Sequence, residues 1–146
     1  MQFSAKLICP LGDPLKNKSM HVKVDDGSMG NDSVTLTIAQ NLCTWEGFQI
    51  NGQDVIHSVM TGVGPASPNS TWSAEGYDFG TIANGDHYLA RWQEQGDPKM
   101  IKGTWKLLSG TGSLKGITGE ATFEEPAPKD GDREVISTVR GWYQLP

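Results

Sequence analysis

Glu75 and Tyr77 lie two residues apart in a stretch, residues 71–79, that reads as a β-strand, and side chains two apart in a strand share a face. A carboxyl set among aromatic rings and shielded from water has a raised pKa and can pass protons near neutral pH. The partner strand is residues 86–95, reached through Asn84-Gly85, a two-residue hairpin signal whose residues both tolerate positive φ. With that pair at the turn centre, Phe79 meets Ala90, Tyr77 meets Trp92 and Glu75 meets Glu94. One face then carries Glu75, Tyr77, Phe79, Tyr88, Ala90, Trp92 and Glu94. The other carries Trp72, Ala74, Gly76, Asp78, His87, Leu89, Arg91 and Gln93. A one-residue slip would change every pairing. The aromatic face is expected inside the protein, with Glu75 as the proton-transfer group and Tyr77 beside it. In the competing reading both glutamates are solvated charges at the rim of the fold.

Further candidates surround this pair. Asp78 falls opposite Arg91 in the same pairing. On an outer face the two make a surface ion pair, and on an inner face they would anchor a carbonyl or carboxylate. Trp92, Trp105, Phe123, Tyr143 and Tyr88 are expected to line a ligand cavity, where aromatic faces stabilise developing positive charge or clamp a flexible molecule. The competing reading of the tryptophans, Trp45, Trp72 and Trp142 included, is core packing and contact between copies of the chain. His57 shares a face with Val55 and Val59; if that face is interior, it is a candidate base or ligand contact.

Other chemistry finds no support. His21, His57 and His87 have no partner at metal-clip spacing, so no metal site is expected. Ser109 and Cys43 lack the neighbours of an activated nucleophile. The glycine-rich run Gly110-Thr-Gly-Ser-Leu-Lys-Gly-Ile-Thr-Gly119 is not a phosphate loop, because Lys115 precedes Gly116 and a strand rather than a helix follows. It reads as a compact turn or short helical twist between two strands. No motif implies a cofactor.

The elements that must hold these residues are short alternating runs separated by Gly, Pro, Asn and Asp, with no long helical periodicity. Strands are expected in residues 2–9, 20–24, 34–38, 44–50, 54–61, 71–79, 86–95, 100–109, 120–125 and 134–145. Such a series suits a single closed antiparallel barrel of about eight strands, or a sandwich. Ile101, Gly103, Trp105 and Leu107 oppose Lys102 and Lys106; Ala121 and Phe123 oppose Glu120, Thr122 and Glu124. Small residues among large rings leave room for a cavity. Pro-bearing residues 62–70 and 125–132 read as long loops.

A chain of 146 residues forms one domain. With 12 Lys and Arg against 17 Asp and Glu, the net charge of −5 argues against nucleic acid as a partner. No apolar run approaches the roughly 18 residues of a membrane span, and the first ten residues do not read as a signal peptide. A cytoplasmic location is therefore expected, or a secreted or periplasmic one if a leader has been removed. Cys9 and Cys43 read as two buried thiols, with a single bridge as the alternative. Asn17, Asn31 and Asn69 head N-x-S/T sequons, which matter only in a secreted eukaryotic setting.

The run Lys102-Gly-Thr-Trp105 followed by Gly110–Phe123 resembles the late strands of the allene-oxide-cyclase-like barrels, a superfamily that also holds dirigent and small bacterial calycin-like proteins. Gly76-Tyr-Asp-Phe79 with Asn84-Gly-Asp86 is similar to the preceding hairpin in such proteins. The resemblance covers residues 72–143, and the earlier part shares only strand rhythm. It implies a closed antiparallel barrel and, among the family's activities, a cyclase or a stereochemistry-guiding protein without catalytic machinery of its own. The combined expectation is a cofactor-free cyclase or isomerase acting on an apolar small molecule. The alternatives are a non-catalytic carrier or guide using the same cavity, and a filled barrel acting through an oligomer surface with Trp72 and Trp142.

Overall fold

The structure, a computed structural model, describes residues 1–11, 18–24, 34–48, 50, 55–65 and 71–146; for 18–24, 34–42 and 55–65 it describes the backbone. Among them are the strands β1 (Gln2–Pro10), β2 (Lys18–Val24), β3 (Val34–Glu46), β4 (Val55–Pro65), β5 (Trp72–Thr81), β6 (His87–Gly96), β7 (Met100–Gly110), β8 (Thr118–Pro126) and β9 (Glu134–Gln144). They form one antiparallel sheet in the order β1-β9-β8-β7-β6-β5-β4-β3-β2, and β1 pairs with β3 as well. That extra ladder, Lys6↔Glu46 to Ile8↔Thr44, curls the sheet back onto itself as a barrel. Further along β3, Lys18↔Gln40 to Val24↔Val34 bring in β2, so β1 and β2 follow one another along the same strand. The expected single antiparallel barrel is the fold.

Two strands expected at 34–38 and 44–50 are one, the 13-residue β3. No Gly or Pro interrupts residues 34–46, and the chain turns only at Gly47, whose φ is +86°.

The β5–β6 hairpin corrects the expected pairing by one residue. Gly76 faces Trp92, Tyr77 faces Arg91, Asp78 faces Ala90 and Phe79 faces Leu89. The turn is the cause. Ile82 N–H donates to Asp86 O (2.9 Å) and Gly85 N–H to Ile82 O (2.9 Å), with Gly85 at φ +88°. This is a three-residue loop, Ala83-Asn84-Gly85, ending in a left-handed glycine, not the two-residue turn that Asn84-Gly85 predicts. Ala74, Gly76, Asp78 and Gly80 therefore turn inward from β5, opposite Glu94, Trp92, Ala90 and Tyr88 of β6. Small residues on one strand make room for large rings on the other; a Cβ on Gly80 would run into the Tyr88 ring.

The glycine-rich run forms the expected turn, a 3-10 turn at Gly112–Leu114 between β7 and β8. Asp86 pins it, accepting from Ser113 N–H (2.7 Å) and Ser113 Oγ (2.6 Å). A Cβ on Gly112, at φ +49°, would collide with that carboxylate and push Asp86 out of its bonds to Ser113. Behind the turn, Leu114 and Ile117 are fully buried and plug this end of the barrel.

An aromatic cluster continues the plug. Phe48 contacts Trp105 (5.8 Å between centroids), Tyr143 (5.6 Å) and Trp45 (4.8 Å), and Trp45 Nε1 donates to Tyr88 Oη at 2.8 Å. Cys9 and Cys43 are not free thiols but a disulfide, with 4.3 Å between their Cα atoms. The pairing of Ile8 with Thr44 brings the next residues in each direction, Cys9 and Cys43, opposite each other across the β1–β3 seam.

Candidate functional site

At the far end of the barrel from the β5–β6 turn the rings thin out and leave a cavity of about 440 Å³. Trp105 belongs both to the aromatic cluster and to this lining, so it forms the floor together with Trp45. Trp92, Phe123, Ile101 and Val139 make the walls. Trp72, Leu11 and Pro128, at or just beyond the ends of β5, β1 and β8, stand at the mouth. The size falls within the range of small-molecule sites. An open groove of about 660 Å³ crosses the outer sheet face beside Glu75, Gln93 and Lys102. It lacks apolar walls that would strip water from a ligand, so the internal cavity is the candidate site.

Three carboxyls reach the cavity lining: Asp78 from β5, Glu94 from β6 and Glu125 from β8. Asp78 is buried and accepts a hydrogen bond from Trp105 Nε1 at 2.9 Å. Ser137 Oγ donates to Glu125 Oε2, while burial pushes the Glu125 carboxyl upward. Burial acts on Glu94 as well and, with the nearby charges of Glu125 and Asp78, raises its pKa to about 8. Glu94 therefore holds its proton at neutral pH, next to the indole of Trp92. Among the described residues no group of three or more His, Cys, Asp or Glu is arranged to hold a metal ion.

Three of the residues expected to line a cavity, Trp92, Trp105 and Phe123, are brought together here. Tyr88 and Tyr143 are buried in the aromatic plug instead. The expected inward placement of Glu75 and Tyr77 is overturned by the hairpin register. Glu75 lies on the outer face, 2.8 Å from Arg91, and the hydrogen bonds of Arg91 and Gln93 hold its carboxyl below the usual range. Tyr77 is 51% exposed, and Phe79 stacks on His87 outside the barrel. Arg91 therefore pairs with Glu75, not Asp78, and Asp78 turns inward without it. Trp72, assigned to the outer face in the expected pairing, faces the cavity, whereas Trp142 is outward and 40% exposed. His57 sits on β4 at the position paired with Phe79; its side chain lies outside the described residues, as do the three sequons' asparagines.

Glu125 went unnoticed in the sequence, although it follows Ala121 and Phe123 at strand spacing. Ser137 shows the same signal between Val135 and Val139. Among the described residues no helix is long and apolar enough to cross a membrane. No protein-family model matches the chain, and no curated protein matches it.

Proposed function

We propose that this barrel binds an apolar small molecule in its internal cavity and catalyses a cofactor-free isomerisation or cyclisation by proton transfer. The feature that carries the reading is Glu94, a carboxyl on the wall of a cavity lined by indole rings, where burial and the nearby charges of Glu125 and Asp78 raise its pKa to about 8. Such a group is matched to acid–base work near pH 7. Glu94 donates a proton to the bound molecule, and a proton lost elsewhere on the substrate restores the acid, so substrate and product have equal mass. Glu125, whose carboxylate accepts from Ser137 Oγ on the same lining, takes up that proton and passes it back to Glu94, so both carboxyls return to their starting states. Phe123 and Trp105 hold the substrate and keep water from the reacting atoms. The likeness of residues 102–123 to allene-oxide-cyclase-like barrels agrees with this class of reaction.

The test is to incubate the protein with metabolite extracts and follow them by liquid chromatography–mass spectrometry. The reading expects a compound that disappears as an equal-mass product forms, with turnover lost in Glu94→Gln while binding persists. A compound retained unchanged by both proteins would make the barrel a carrier.

A further inference from the structure

We propose that the molecule the cavity takes is an organic cation, a quaternary or protonated amine on an apolar body. The proposal rests on the small-molecule reading of the same cavity. Carboxyls alone make no site; here they stand around about 440 Å³ of space enclosed by indole rings. Trp45, Trp72, Trp92 and Trp105 all line that space, and indole is the aromatic face that attracts cations best. Asp78, Glu94 and Glu125 add negative charge or the capacity for it, while the lining among the described residues includes no Lys, Arg or His. Lys6, Lys102, Lys106 and Arg91 are on the outer face. An anion would be repelled from this cavity, and a neutral hydrocarbon would strip water from carboxyls without compensating them. A large, weakly hydrated ammonium ion satisfies both the rings and the acids.

Protonation gives the proposal a sign. Asp78 from β5 and Glu125 from β8 are the titratable groups that act on Glu94 inside the barrel; from β7, Ile101 and Trp105 face the cavity and Lys102 points outward. A bound cation favours ionised Glu94 and brings its pKa down toward neutrality, where the carboxyl still exchanges its proton, so affinity rises with pH. A neutral ligand deepens the desolvation of Glu94, and its affinity falls with pH over the same interval.

The experiment compares benzyltrimethylammonium with neopentylbenzene, its neutral carbon isostere, by quenching of tryptophan fluorescence at pH 6 and pH 9. The ammonium is expected to bind about tenfold tighter than the isostere at the higher pH. Its affinity should rise from the lower pH to the higher in the wild type, and this rise should shrink in Glu94→Gln. Equal or tighter binding of neopentylbenzene would overturn the cation assignment and leave the small-molecule reading standing. Absence of binding by either probe would overturn both.

Discussion

Glu94 holds its proton because burial in the barrel takes water from its carboxyl and the charges of Glu125 and Asp78 lie nearby. That predicts how stability depends on pH. A carboxyl whose pKa is raised on folding, from its ordinary value of 4.5 to about 8, stabilises the fold fully only below the lower value. Its contribution shrinks as pH climbs between the two and is lost above the higher. Denaturant unfolding at a series of pH values should show stability falling across this interval, with a shallower fall in Glu94→Gln. Glu75 behaves oppositely. Its ion pair with Arg91 lies in water, so Glu75→Gln should leave the melting temperature and ligand binding essentially unchanged. Gly80→Val drives a side chain into the buried Tyr88 ring and should cost about 1–3 kcal/mol, measured by chemical denaturation. Glu94 was legible as an inward residue from its own strand, since Tyr88, Ala90 and Trp92 alternate up to it. Glu75 was not, because its side of the sheet depends on the turn that joins β5 to β6.

That turn shows how an element can mislead. Asn84-Gly85 does mark the hairpin, but Asn84 is the middle of a three-residue loop and its side chain bonds Asp86, with Asp86 N–H reaching Asn84 Oδ1 at 2.9 Å. One added loop residue moved every β5 side chain to the other face, whereas the faces of β7 and β8, argued from their own alternation, hold in the structure. Asp86 also ties this loop to the 3-10 turn through Ser113. Asp86→Ala should therefore lower the melting temperature more than Glu75→Gln does. The disulfide was hidden for a different reason: pairing of β1 with β3 is a long-range contact that local pattern does not encode. By closing a loop over a sequence separation of 34, the Cys9–Cys43 bridge should contribute about 3–4 kcal/mol. Replacing both cysteines by serine should reduce unfolding free energy by that order and loosen the seam next to the cavity.

As a whole the molecule is a barrel stoppered at one end and hollow at the other. The stopper is the aromatic cluster with Leu114 and Ile117, and the hollow is the cavity whose lining carries Asp78, Glu94 and Glu125. Fold class was readable from strand rhythm and glycine placement, since closure needs only enough alternating strands and turns. The site was half readable: the rings that line it follow from alternation, but its acids sit where a hydrophobic pattern alone places an apolar residue. Proton transfer in this cavity requires one of those acids to be neutral at physiological pH, and the direct measurement is a carbon-13 NMR titration of the glutamate side-chain carboxyls. One resonance should titrate near pH 8 and vanish in Glu94→Gln. If every glutamate titrates in the ordinary carboxylate range, Glu94 is a solvated charge and the proton-transfer site does not exist.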